Sequence, residues 1–276
     1  MFASRKASVK LDNLFRFLSA AHWSYLVDSR APERGGVFLV AGPNNLKSNI
    51  LEWSLESVKG NGALIYSDLT LKQLAVIRSE ISAGKHHTLG FPELEKLYAR
   101  NPQVASNLEG VLKAMVAEGF SHFAFEDQRL AVQKARCFVL AAVLESVYRI
   151  RGSAWQENGF LRRFVCVKYT LSTKARALLN EAILKGERLS FPPVFFLPSS
   201  PIKDETTKEE ARKLQKIIGD DEAYMQLNLM RKCLVVMKWH YKQQNGRRNK
   251  GSLTPMECIE DLSEAIKPQG WGILDV

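Results

Sequence analysis

Lys47 and Ser48 stand where phosphate chemistry would need them: behind an apolar run (residues 37–40, VFLV), a Gly42-Pro43 break and two asparagines, at the head of a helical pattern. In that order a buried strand aims its carboxyl end at a tight turn. The turn exposes backbone N–H groups, and the helix N-terminus adds positive potential beneath a phosphate. Lys47 would reach the terminal phosphates, and Ser48 would offer its hydroxyl to a nucleotide-bound Mg2+. Gly42, Asn44, Asn45, Lys47 and Ser48 are therefore the candidate contacts for ATP, with Ser48 the candidate Mg2+ contact. The match to G-x-x-x-x-G-K-[ST] is incomplete, because Ala41 and Leu46 occupy the two glycine places. A leucine before the lysine fits only with negative φ or on another loop path. A strand–turn–helix that merely carries Lys-Ser is the alternative reading of the same window.

A second set of residues concerns charge. The formal net charge of +10 favours an anionic partner, nucleic acid being the commonest. The excess is concentrated between Ala223 and Met256, where Arg231, Lys232, Lys238, Lys242, Arg247, Arg248 and Lys250 face no Asp or Glu in sequence. Residues 243–251, QQNGRRNKG, have the composition of a loop lying along a phosphate backbone, while Trp239 and Tyr241 suit either base stacking or a core. A solvated basic face is the other reading of the run. Cys137, Cys166, Cys233 and Cys258 lack CxxC spacing and read as thiols rather than metal ligands, so no metal is expected from protein ligands.

The elements that must position these groups alternate in type. Strands are predicted at residues 37–40, 63–66, 86–91, 137–143 and 165–167; helices at 11–29, 47–58, 71–81, 108–119 and 172–185. A hairpin is expected from 120–125 and 129–132. Strands alternating with helices predict an α/β fold with a parallel sheet covered on both faces. Residues 191–202 hold four prolines and read as an extended linker. Helices at 208–218 and 223–241, with a further helix start near 252–257, then suggest a separate basic helical unit. The expected organisation is a helical segment at 1–34, a nucleotide-binding domain at 35–190, the linker, and a C-terminal unit at 203–276. No apolar run approaches a membrane span, and no secretory signal follows Arg5, Lys6 and Lys10, so a cytoplasmic location is expected.

Taken together, the order of landmarks resembles the AAA+ family of P-loop ATPases, especially the branch with the minichromosome-maintenance helicases. The resemblance covers roughly residues 35–186. In that family the third strand ends in two acids; the match here is LGFPELEK, with Pro92 in the first acidic place and Glu93 in the second. The resemblance implies that Glu93 polarises the attacking water, and that Asp68 or Glu95 must substitute for the absent first acid. GFLRRF resembles the arginine-finger segment, which implies that Arg163 or Arg162 acts on nucleotide bound by a neighbouring subunit. Glu145 and Ser146 are nearest to the family's polar sensor position.

The resemblance thus implies a nucleotide-binding ATPase, weak or inactive in hydrolysis, that forms homo-oligomers on nucleic acid. DNA is favoured over RNA, in a transaction of a mobile element, plasmid or phage. The alternative is a non-enzymatic basic nucleic-acid-binding or scaffold protein.

Overall fold

The computed structural model describes residues 5–56, 62–99, 101–121, 134–186, 201–219, 224–245 and 255–266. Helix α1 (Arg5–Trp23) passes through a 3-10 turn into a short strand, β1 (Val27–Asp28). Four βα pairs follow: β2 (Gly36–Ala41) with α2 (Lys47–Glu56), β3 (Ala63–Ile65) with α3 (Leu71–Ser82), β4 (Thr88–Phe91) with α4 (Pro102–Val116), and β5 (Phe138–Leu144) with α5 (Glu145–Glu157). Then come β6 (Phe164–Lys168), α6 (Thr173–Leu184), β7 (Ile202–Lys203), α7 (Lys208–Ile218), α8 (Tyr224–Asn245) and α9 (Pro255–Ile266).

Strands β2 to β6 form one five-stranded parallel sheet in the order β3-β4-β5-β2-β6. From β2 the chain travels outward past β5 and β4 to β3, steps back through β4 and β5, and finally crosses β2 to reach β6. Right-handed crossovers place α2 on one face of such a sheet and α3, α4 and α5 on the other.

The core divides accordingly. Ile50, Leu51 and Leu55 of α2 pack in one cluster with Val37, Leu39 and Ala41, the alternate side chains of β2. Leu74 and Ile77 of α3, Leu108 and Leu112 of α4 and Trp155 of α5 share the other cluster with Phe38 and Val40. Gly90 lets α2 come close: a Cβ there would lie 2.4 Å from the Leu55 side chain. Helix starts follow local chemistry, with Thr70 and Gln73 closing a capping box on α3 and Asn101 capping α4 ahead of Pro102.

The C-terminal helices do not stand apart from the sheet. Leu229, Met230 and Cys233 of α8 and Ile259 and Leu262 of α9 belong to the same cluster as Leu14 and Phe17 of α1 and the α2 face of the sheet. The ladder β1–β7 pairs Val27 with Ile202, tying the start of the chain to the segment before α7. Where a hairpin is expected near 120–132, Phe120 and Ala135 form an antiparallel bridge, and residues 122–133 lie outside the described set. Residues 191–200 of the proline-rich stretch also lie outside it. Among the described residues no helix is long and apolar enough to cross a membrane.

Candidate functional site

The loop at residues 42–46 leaves the carboxyl end of β2. There the connection from β2 goes to one face of the sheet while that from its neighbour β5 goes to the other. Ligands of open α/β sheets bind at such a point. Asn44 (φ 59°) and Leu46 (φ 54°) are the only non-glycine residues with positive φ among the described residues. Leu46 thus takes a left-handed backbone where a leucine ahead of the lysine was expected to keep negative φ, at a cost of about 1–2 kcal/mol. Its side chain packs against the core, and its carbonyl accepts the first helical bond of α2 from Ile50 N–H at 2.8 Å.

Asn45 holds this course from inside. Its Nδ2 donates to the Gly42 and Pro43 carbonyls, each at 3.2 Å, and its Oδ1 accepts from Leu171 N–H at 2.9 Å. Tyr169 Oη donates to the Asn45 carbonyl at 3.2 Å. The side chain that the sequence offered as a nucleotide contact is therefore spent on the loop, while Asn44 is exposed and Gly42 half-buried at its rim.

Beyond the loop, Lys47 and Ser48 open α2 beside the end of β4. Ser48 Oγ donates to the Pro92 carbonyl at 2.7 Å, so the proline in the first acidic place supplies a main-chain acceptor to that serine. Lys47 Nζ stands 3.6 Å from Glu95 Oε1. Glu93 pairs instead with Lys96 and has a side chain 40% exposed. The carboxylate brought to Lys47 is Glu95, set by a 3-10 turn (Leu94–Ala99) whose Leu94 and Leu97 are buried. Asp68, after β3, caps Leu69 N–H and adds with Glu95 to the field on Lys96. At the end of β5, Glu145 pairs with Arg149 at 2.5 Å and Ser146 is exposed.

Arg162 and Arg163 lie elsewhere. Phe164 pairs with Gly36, so both arginines sit at the amino edge of the sheet, the length of β2 (roughly 20 Å) from the loop. Arg163 donates to the Gly159 carbonyl at 2.6 Å and to Glu118 at 3.2 Å; Arg162 is exposed.

The described members of the basic run face protein acceptors. Arg231 pairs with Asp204 at 2.7 Å and Lys238 with Glu210 at 2.9 Å. Lys242 pairs with Glu205 at 3.1 Å on the surface. Lys232 is buried and donates to the Ala31 and Glu33 carbonyls; burial, with the Arg34 charge adding, pulls its pKa down to about 8. Tyr241 bonds Asp261 and accepts from Arg16, while Trp239 packs partly against the core. Arg247, Arg248 and Lys250 lie outside the described residues.

The structure thus gathers the 42–48 loop, Pro92 and Glu95, and keeps the arginines and the basic helix away. Tyr169 and Leu171 escaped the sequence reading because their roles rest on one hydroxyl and one main-chain N–H, contacts that side-chain type does not announce. Among the described residues no group of three or more His, Cys, Asp or Glu could hold a metal ion. The chain matches no model of a known protein family, and no curated protein matches it.

Proposed function

We propose that the chain binds ATP with Mg2+ at the 42–48 loop, as an AAA+-like module in which hydrolysis is weak or absent. The observation that carries this reading is the left-handed backbone of Asn44 and Leu46 directly ahead of Lys47. Positive φ at a leucine costs energy that a plain turn has no need to spend, and such strain collects at ligand-binding loops. A turn of this kind leaves main-chain N–H groups for an anion ahead of a helix N-terminus, which is where Lys47 and Ser48 stand. Weak hydrolysis follows from the acids: Pro92 cannot hold a metal through a side chain, and Glu93 is engaged by Lys96. Assembly into homo-oligomers, with Arg162 or Arg163 reaching a neighbour's nucleotide, and action on DNA belong to the same proposal. Because Arg231, Lys232 and Lys238 are engaged within the protein, the phosphate-backbone contact falls to Arg247, Arg248 and Lys250.

The test is equilibrium binding of a fluorescent ATP analogue with Mg2+ to wild type and Lys47→Ala. Micromolar binding lost in the variant supports the reading. No binding by either protein would favour the second reading, a non-enzymatic basic nucleic-acid-binding scaffold, which the net charge of +10 supports without any nucleotide.

A further inference from the structure

Trp239 is half-buried and borders a cleft of about 250 Å3 between α8 and residues 201–205. Val235, Lys238, Trp239 and Lys242 line it from α8, at the i, i+3, i+4, i+7 spacing that puts four side chains on one face of a helix. Pro201, Ile202 and Lys203 line the other side, where β7 is held by its ladder to β1. Ile202 and Val235 are buried, whereas Pro201, Lys203, Glu205 and Lys242 are exposed. Apolar surface therefore lies at the bottom of the cleft, and charged groups stand at its mouth.

Two of these groups are uncommitted. The indole N–H of Trp239 has no acceptor, and Lys203 no carboxylate, among the described residues. Lys242 is bonded to Glu205 at 3.1 Å, but the two side chains are 68% and 64% exposed, and a pair so solvated exchanges its anion at little cost. Lys238 differs: Glu210 holds it at 2.9 Å with both side chains nearly covered, so it belongs to the wall.

An indole with an unused donor, flanked by exposed ammonium groups, suits a base and its phosphates. A nucleobase offers a π face to stack and acceptors at its edge. At about 250 Å3 the cleft falls below the roughly 300–1,000 Å3 of sites that enclose whole small molecules, and fits one ring system. In a duplex that ring is stacked and paired, so only an unpaired base can turn into the cleft. Lys242 stands one turn before the end of α8, and Arg247, Arg248 and Lys250 follow in sequence, so the cleft and the stretch assigned to the phosphate backbone adjoin along the chain.

We propose that this cleft receives one unpaired base of single-stranded DNA, stacked on Trp239, with the flanking phosphates on Lys203 and Lys242. The inference rests on the DNA contact proposed above and adds to it a preference for unpaired strands.

The experiment is fluorescence anisotropy of three labelled probes with wild type, Trp239→Leu and Lys242→Met. The probes are an oligothymidylate of about 16 nucleotides, the same sugar–phosphate strand without bases, and a duplex of that length. Wild type binds the oligothymidylate at least about tenfold more tightly than the abasic strand, the effect of one stacked base. Trp239→Leu removes that preference and leaves duplex binding unchanged. Lys242→Met keeps the preference and lowers the log–log salt slope on the single strand by about 0.7, the share of one phosphate contact; an unchanged slope overturns the Lys242 assignment. Equal wild-type affinity for the strand with and without bases, or a Trp239→Leu protein that keeps the difference, overturns the base site and leaves the phosphate contact standing. Absence of binding to every probe by every protein overturns both. The comparison of the two strands uses wild type alone, so a Trp239→Leu protein that fails to fold does not shield the inference.

Discussion

Asn45 Oδ1 accepts a hydrogen bond from the Leu171 main-chain N–H at 2.9 Å, so the loop that leaves β2 is fastened to the chain that leaves β6. With Nδ2 bonded to two loop carbonyls, one buried amide sets the curvature of the whole turn. Asn45→Ala strands those groups and costs about 2–3 kcal/mol. It also weakens binding of the ATP analogue more than Asn44→Ala, whose side chain is exposed. Urea melts beside the binding assay check both; equal effects at the two positions would remove Asn45 as the fastening.

Leu46 offers a test of strain. At φ 54° glycine relieves backbone cost but forfeits the contacts of a partly buried side chain, so Leu46→Gly stays within about 1 kcal/mol of wild type. Leu46→Val, β-branched at positive φ, loses about 2 kcal/mol. The order glycine, leucine, valine in chemical denaturation is the expected outcome. A valine variant as stable as the glycine one would mean that the loop is free to leave the left-handed region.

The basic helix divides into structural and surface charges. Lys238 and Glu210 have side chains 14% and 7% exposed, and Glu210 also closes the Thr207 capping box of α7. Lys238→Met therefore costs about 3 kcal/mol, because it leaves a buried carboxylate uncompensated. Lys242→Met, at a pair more than 60% exposed on both sides, costs under about 0.5 kcal/mol.

For nucleic acid, the same engagement predicts a split. Under the proposed DNA contact, variants at Arg231 and Lys238 leave the salt dependence of binding unchanged, whereas the double change Arg247→Glu/Arg248→Glu lowers its log–log slope by about 2. Titrations between 50 mM and 200 mM salt, about the range where counterion release is plain, decide it.

Acid sensitivity has an identifiable source in His240. Burial, with the Arg16 charge adding, pulls its pKa from the ordinary 6.5 down to about 4. Between those values the unfolded chain binds the extra proton, so the contribution is complete above about pH 6.5 and is lost as pH falls toward 4. The loss is on the order of 2–3 kcal/mol. Urea melts at about pH 4.5 and 7 should show a smaller acid loss for His240→Asn than for wild type; equal losses would exclude this imidazole.

Much of the architecture is legible in sequence because central parallel strands are apolar throughout. CFVLAAV announced β5, and VFLV announced β2, without any knowledge of partners. Helix α5 gave no such signal: Trp155 is its buried residue, Ile150 is 81% exposed, and Gly152 interrupts it. The apolar face of α8 showed that something covers it, but not that this is α1 and the sheet. For the same reason a run of basic side chains resembled a phosphate track. Its acceptors, the Ala31 carbonyl and Glu210, are 201 and 28 residues from their lysines. At the candidate site the family resemblance favoured Glu93, but the 3-10 turn after Pro92 brings Glu95 to Lys47.

The clasp between the two ends of the fold has a consequence for biosynthesis. Arg16 meets Tyr241 and Asp261 across 225 and 245 residues of chain, and Val27 pairs with Ile202. A polypeptide emerging from the ribosome presents α1 and the adjoining sheet face long before α8 and α9 exist to cover them. High contact order of this kind slows folding and leaves apolar surface open to association meanwhile. Nascent chains stopped short of α8 would then be the species that most need a chaperone, and this fold closes only once α9 has been made.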